Sequence, residues 1–146
     1  MTDLRTSPLT PEATARVLAV IDAHAAALGL PFDGEPLSVE AWEGDAWLGG
    51  LTARAHQRWI FVELIGVAEA ARGRDIGTRL MREIERIARE SGLTGLWLDT
   101  YSFQAPGFYA KLGYEEVGRI PDYPGPHARI FLAKRLDGRP VPEGAP

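Results

Sequence analysis

Hydrophobic and polar positions repeat with a helical period over residues 10–29. The hydroxyl of Thr10 followed by Pro11 is typical of a helix start, and Gly29 is typical of a helix end. The pattern therefore predicts a first helix over this range. In the polar segment before it we expect a short edge strand near residues 3–6.

The period changes to two at Leu37, where apolar and polar residues begin to alternate. Turn residues at 43–45 and 57–58 divide this region. The pattern predicts a strand from Leu37, followed by strands over 46–56 and 59–67. Because the connecting turns are short, these three strands should form an antiparallel meander.

Helical spacing returns after residue 75, and Gly92 is placed to end that helix. Its predicted buried stripe consists of Ile76, Leu80, Ile84 and Ile87. The apolar run over 94–100 then follows a strand and a helix, so a right-handed crossover should bring it parallel to the strand over 59–67. The remaining predicted elements are a helix over 106–112 and strands over 114–119 and 127–135.

This order of elements predicts an α+β fold, with a mixed, mostly antiparallel twisted sheet flanked by helices. The length of 146 residues is that of one domain with a sizeable core. We expect residues 1–136 to form this domain. The tail over 137–146 contains three prolines and two glycines, which favours mobility.

Composition excludes several kinds of chemistry. The chain has no cysteine, so it has no disulfide, no thiolate metal site and no cysteine nucleophile, and we expect no bound metal. Its net charge of -4 argues against nucleic acid as the main partner. No apolar run is long enough to cross a bilayer, so we expect a cytoplasmic protein without a membrane partner.

A turn rich in glycine and arginine connects the third strand to the long helix. A helix N-terminus presents unpaired N–H groups and partial positive charge, and nearby glycines let the backbone approach an anion closely. Arginine side chains add donors suited to phosphate. The turn is therefore a predicted diphosphate site, formed by Arg72, Gly73, Arg74, Asp75, Ile76, Gly77 and Thr78.

The short helix carries a second motif, Phe-Tyr-Ala-Lys-Leu-Gly-Tyr, at residues 108–114. Together with the turn and the order of the elements, this motif resembles the GNAT superfamily of acetyl-CoA-dependent N-acetyltransferases. The resemblance implies direct transfer of an acetyl group from acetyl-CoA to a primary amine of a small molecule or peptide, within a ternary complex. The alternative is a GNAT-like domain with little catalysis, which binds acyl-CoA or a partner protein.

The resemblance also implies how the cofactor is held. In GNAT proteins the strand before the turn is bulged and splays from its parallel neighbour, and the pantetheine arm pairs with its backbone. Ile65, Gly66 and Val67 match that strand, and Gln104 stands where many members carry an asparagine that contacts the arm. From the residues alone, Gly66 indicates a bulge, a close backbone approach or a strand end.

Asp75 departs from the family pattern. That pattern is Gln or Arg, two residues, Gly, one residue, and then Gly or Ala. Arg72 and Gly77 match its first and last positions, whereas Asp75 replaces the central glycine. A carboxylate here would either repel the diphosphate or cap the helix with its side chain, and we favour capping.

Three residues are candidates for proton transfer. Tyr109 matches the tyrosine that protonates the leaving thiolate in this family, and a phenol has a higher pKa than a thiol. Glu63 lies on the strand before the turn, and alternation places it on one face with Phe61 and Ile65. His127 follows a Pro-Gly-Pro loop that resembles a stretch of the glyphosate N-acetyltransferases, where a histidine is the base. The base is therefore either Glu63 or His127.

No motif of this chain identifies the molecule that would accept the acetyl group. The loops expected to select it lie at 28–36 and 119–127. GNAT proteins often dimerise, so a homodimer through the last strand is a further possibility implied by the resemblance.

Overall fold

A computed structural model describes residues 1–31 and 34–141 of the chain. Its contacts divide the chain into two compact units, residues 1–33 and 34–146. Within the described residues, the helices and strands are α1 (Pro11–Ala27), β1 (Glu35–Glu43), β2 (Ala46–His56), β3 (Trp59–Val67), α2 (Ile76–Glu90), β4 (Gly95–Tyr101), α3 (Pro106–Lys111), β5 (Glu115–Ile120) and β6 (Arg129–Arg135), with a 3₁₀ turn over Glu69–Ala71. None of the described helices is long and apolar enough to span a membrane.

The first unit contains helix α1, which starts and ends where its sequence predicts. The Thr10 side chain accepts a hydrogen bond from the Ala13 N–H at 3.1 Å, and Pro11 occupies the first helical position. Gly29 follows the helix with φ of +73°. The edge strand expected near residues 3–6 is wrong, because that segment has no strand conformation. A strand exists only through hydrogen bonds to a neighbour, and local polarity cannot supply that neighbour.

The second unit is built on a six-stranded sheet in the order β1-β2-β3-β4-β6-β5. Every neighbouring pair is antiparallel except β3 and β4, which are parallel. This confirms the predicted mixed α+β fold. Gln57 and Arg58 both have positive φ, of 50° and 69°, which gives the tight two-residue turn that joins β2 to β3.

Helix α2 covers one face of this sheet with its apolar side. The predicted stripe is confirmed at Ile76, Leu80 and Ile84, while Ile87 is half-buried and Met81 and Ala88 complete the buried surface. These residues pack with buried leucines, isoleucines and valines of the central strands in one core. The long helix is therefore fixed on the sheet, and its N-terminus has a defined place beside β3.

One charged residue, Glu85, is fully buried on the core side of α2. Its carboxylate accepts hydrogen bonds from Tyr114 Oη at 3.0 Å and from Lys134 Nζ at 2.9 Å. Burial is the main cause that raises the pKa of Tyr114, so its hydroxyl stays protonated and donates. This network connects α2 to the start of β5 and to β6.

The predicted mobile tail falls partly outside the described residues, which end at Val141. Within the described part, Arg135 and Asp137 form an ion pair at 2.6 Å just after β6. The mobility of the tail stays a prediction.

Candidate active site

A cavity of about 900 Å³ lies where β3 and β4 separate. Most of the residues predicted from the sequence to form the site line it, and they come from β3, the glycine turn, the start of α2, the loop after β4, and α3. These residues are Glu63, Ile65, Gly66, Val67, Arg72, Gly73, Asp75, Ile76, Gly77, Thr78, Gln104 and Tyr109. Arg74 and His127 are not among the lining residues.

The cavity exists because the parallel pairing of β3 and β4 is short. Only Trp59–Phe61 pairs with Gly95–Trp97, although β3 continues to Val67 and β4 to Tyr101. Beyond Phe61 and Trp97, which stack with ring centroids 4.0 Å apart, the strands separate. The predicted splayed parallel pair is therefore present, and both strands expose backbone along the split.

The bulge in β3 lies at Glu63 rather than at Gly66, which corrects one prediction. Gly66 pairs in regular register with Gly50, whereas the register with β2 shifts between Thr52 and Ala53 and leaves Glu63 without an opposite residue. The bulge inserts one extra residue into β3, which reverses the alternation of the side chains beyond it.

Because of this bulge, the prediction that Phe61, Glu63 and Ile65 share one face of the strand is wrong. Phe61 pairs with Arg54, but Ile65 pairs with the buried Leu51, so Phe61 and Ile65 lie on opposite faces of the sheet. Glu63 is the inserted residue at which the alternation of side chains reverses. It lines the cavity together with its neighbours Val62 and Leu64. The alternation rule fails here because it assumes a strand without an inserted residue.

Asp75 occupies the N-cap position of α2, but its side chain does not cap the helix. The expected capping is therefore wrong. The residue has φ of 59° and ψ of 25°, in the left-handed region, whereas a capping side chain needs extended backbone to reach the first helical N–H groups. Its backbone carbonyl still accepts from the Arg79 N–H at 3.0 Å, and the residue is part of the cavity wall.

The two arginines of the turn have different surroundings. Arg72 lines the cavity. Arg74 Nη2 instead lies 2.6 Å from Glu43 Oε2, in a partly exposed ion pair with the end of β1. The two glycines of the turn differ: Gly73 has φ of +79° and open space at its Cβ position, whereas Gly77 packs closely on Phe108, whose ring a Cβ would meet at 3.3 Å.

Tyr109 reaches the cavity from α3 and is only 7% exposed. Its ring packs edge-on against Phe108 and Tyr114. Burial raises the pKa of Tyr109, and the negative charge of Asp99 raises it further. The phenol therefore stays protonated at neutral pH and can act as a proton donor.

Glu63 and Gln104 both line the cavity, but their side chains differ in how firmly neighbouring groups hold them. Glu63 forms a long ion pair with Arg54 at 3.7 Å, and both side chains are more than a third exposed. Such exposed pairs contribute little, so Arg54 does not hold the Glu63 carboxylate in one position. The Gln104 side-chain carbonyl accepts from Thr100 Oγ1 and from the Tyr101 N–H, at 3.2 and 3.1 Å. Gln104 thus fixes the end of β4 beside the site.

His127 lies outside the described cavity wall. Its backbone closes the 123–127 loop through hydrogen bonds with Tyr123 and Pro124, and its half-buried ring packs edge-on against Phe103 at 5.0 Å. Its expected role as a base stays a prediction. Arg129, two residues further on, does line the cavity.

Sequence reasoning missed several lining residues. The most polar of these are Asp99 and Arg129, whose side chains lie 2.8 Å apart. Alternation along β4, with Leu96 and Leu98 buried, indicates that Asp99 faces away from the core. No local signal places Arg129 beside it, since the two are on different strands. The other missed lining residues are Phe61, Val62, Leu64, Ala71, Leu98, Thr100, Tyr101, Ala105 and Phe108.

Comparison with known proteins agrees with this geometry. A blasticidin-S acetyltransferase from Streptomyces morookaense is 42% identical over 89 residues, which are 60% of this chain and 65% of the relative. The chain thus spans less than two thirds of that relative's length.

Two solved structures share the fold. The crystal structure of an acetyltransferase from Bacillus cereus superposes with a TM-score of 0.79 and 29% identity, covering 91% of this chain and 98% of that one. An aminoglycoside 6'-N-acetyltransferase complexed with coenzyme A has a TM-score of 0.63 at 23% identity, covering 73% of this chain and 76% of that one.

The profile of the acetyltransferase (GNAT) family matches residues 7–114. This range includes the split between the strands, the glycine turn and the motif of the short helix. The chain belongs to the acetyltransferase (GNAT) family.

Proposed function

We propose that the protein is an N-acetyltransferase that transfers an acetyl group from acetyl-CoA to a primary amine, by direct transfer through a ternary complex. One observation carries the proposal: a single cavity contains the split between β3 and β4, the glycine turn and Tyr109. Family membership supports it, and so does the relative that is 42% identical and named as an acetyltransferase.

The residues present fit acetyl-CoA. The glycine turn lies at the N-terminus of α2, where helix N–H groups bind phosphate, and Arg72 adds a guanidinium. Gly73 has open space at its Cβ position, so a ligand can approach the backbone there. Ile65, Gly66 and Val67 present backbone groups along the split and would hold the pantetheine arm.

Two side chains supply the proton transfers. Acetyl-CoA provides a thioester whose carbonyl carbon accepts the amine nitrogen while its carbon–sulfur bond breaks. Glu63 accepts the proton that the amine loses, and the protonated Tyr109 donates a proton to the leaving sulfur. We favour Glu63 over His127 as the base because Glu63 shares the cavity with Tyr109.

The acceptor that we propose is a small cationic amine. The relative named for blasticidin S makes that antibiotic the first acceptor to test, and polyamines are simpler cationic probes. The expected cytoplasmic location is compatible with such acceptors and stays part of this proposal.

Thermal unfolding with acetyl-CoA, free CoA and ATP in parallel tests the cofactor site. A ligand at about a hundred times its dissociation constant adds roughly 2.7 kcal/mol, which raises the melting temperature by about 4–10 °C. We expect a rise with acetyl-CoA and CoA but not with ATP, followed by thiol release when an amine is added. A rise without thiol release from any amine would favour the alternative, a GNAT-like module that binds acyl-CoA or a partner protein.

A further inference from the structure

Asp99 lies at the split, level with Glu63. The last residues paired between β3 and β4 are Phe61 and Trp97, and Glu63 and Asp99 each follow that pair by two residues. Both residues line the cavity. The point where the strands separate thus carries one acidic side chain from each strand.

An ion pair with Arg129, whose side chain is 32% exposed, orients Asp99. Its Oδ1 accepts from Arg129 Nε at 2.8 Å, and the Asp99 side chain is 14% exposed. The guanidinium of Arg129 is itself surrounded by the rings of Tyr101, Tyr123 and Phe131, at 5.6 to 5.9 Å from their centroids. Arg129 therefore holds the Asp99 carboxylate in place beside the cavity.

The second oxygen of Asp99 is not used in this pair. Among the residues that the structure describes, no hydrogen bond reaches Oδ2, and no buried polar side-chain atom lacks a partner. Oδ2 is therefore not fully buried, and Asp99 is one of the residues that line the cavity. Asp99 also lies within electrostatic reach of Tyr109, because its charge contributes to the raised pKa of that phenol.

We propose that Asp99 binds the amino group of the acceptor through Oδ2, which selects a cationic amine, and that Arg129 is a positioning residue that holds Oδ1. This inference rests on the proposed function and names the acceptor chemistry of the same site. A carboxylate oxygen accepts a hydrogen bond from an ammonium N–H and also attracts its positive charge, whereas a neutral acceptor lacks that attraction between opposite charges and an anionic one is repelled.

Asp99→Asn tests this assignment, since an amide nitrogen in place of Oδ2 cannot accept a hydrogen bond. The probes are blasticidin S and spermidine, with kinetics measured on the amine that gives the higher kcat/KM. We expect KM for the amine to rise about 10–100-fold. The dissociation constant of acetyl-CoA should stay within about twofold, because Asp99 faces the acceptor.

The matched control is Asp137→Asn. Asp137 also pairs with an arginine, Arg135, at 2.6 Å, but it does not line the cavity. We expect its kinetics to equal those of the natural chain. Calorimetric titration of spermidine into the CoA complex compares amine binding by these variants without turnover. Amine binding can then be tested even if no amine is acetylated, so failure of the proposed function and failure of this inference are distinguishable.

An amine KM that is unchanged in Asp99→Asn, with spermidine binding also unchanged, overturns the assignment. If that variant does not fold, Asp99→Glu replaces it, because it keeps the charge but moves the carboxylate by one methylene. The KM for the amine must then rise while acetyl-CoA affinity holds. Equal loss of acetyl-CoA binding and amine binding would make the Asp99–Arg129 pair structural and would also overturn the proposal.

Discussion

Replacing Asp75 should improve both stability and acetyl-CoA binding. The residue combines two unfavourable properties at one position: a left-handed backbone, with φ of 59°, and a carboxylate in the wall of a cavity that is proposed to hold a diphosphate. Asp75→Gly removes both properties. Asp75→Asn removes the charge alone, because asparagine tolerates the same backbone conformation.

The two contributions can be estimated separately. Left-handed backbone costs an ordinary residue about 1–2 kcal/mol, and Asp lies at the low end, so Asp75→Gly should add about 1 kcal/mol of stability and raise the melting temperature by roughly 3–5 °C. Two unit charges about 6 Å apart at an effective dielectric constant of about 40 repel by roughly 1.4 kcal/mol, which is a factor of about ten in affinity.

Calorimetric titration with acetyl-CoA and thermal unfolding of the ligand-free protein measure these effects independently. We expect both variants to bind acetyl-CoA about tenfold more tightly, and only Asp75→Gly to unfold at a higher temperature. High salt should reduce the affinity gain, because it screens the repulsion.

The matched control is Asp122→Gly. Asp122 also has positive φ, of 56°, but it does not line the cavity. It should gain stability without any change in affinity. Equal acetyl-CoA affinity in Asp75→Asn and the natural chain would refute the repulsion argument. An unchanged melting temperature in Asp75→Gly would refute the backbone argument.

Two further predictions concern buried groups. Tyr109→Phe should lower kcat by about 10²-fold or more without changing acetyl-CoA affinity, since it removes only the proton donor. Because the pKa of Tyr109 is raised and the acid must be protonated, kcat of the natural chain should not fall on the alkaline side before about pH 10, and an earlier fall would argue against this donor. Glu85→Ala should cost about 3–5 kcal/mol in urea unfolding, because it leaves the partly buried Lys134 ammonium without its carboxylate. Glu83→Ala, which removes an exposed partner of Arg86, should change stability little, and equal losses in the two variants would contradict this reasoning.

Local chemistry determined most of the elements. The bounds of β2 and β3 agree with the alternating pattern and its turns, and α1 starts at Thr10 and Pro11 as its capping residues predict. The turn and the motif around Tyr109 identified the family, because both are short segments whose order along the chain is read directly. Such features depend on residues close in sequence, which is why one sequence is sufficient to predict them.

Tertiary structure decided the details that control chemistry. The bulge at Glu63 depends on how β3 pairs with β2, and the left-handed backbone of Asp75 depends on how the turn joins the strand to α2. Arg74 belongs to an ion pair with Glu43, a residue far from it in the chain.

Tertiary structure also decided which residues meet where the acceptor amine is proposed to bind. Asp99 and Arg129 are 30 positions apart in the sequence, and they meet only because β4 pairs with β6. Periodicity fixes which face a side chain occupies, but strand register and packing fix which side chains meet. The sequence by itself therefore determined the fold and the cofactor motif, and the three-dimensional pairing of distant strands decided which charges surround the reacting groups.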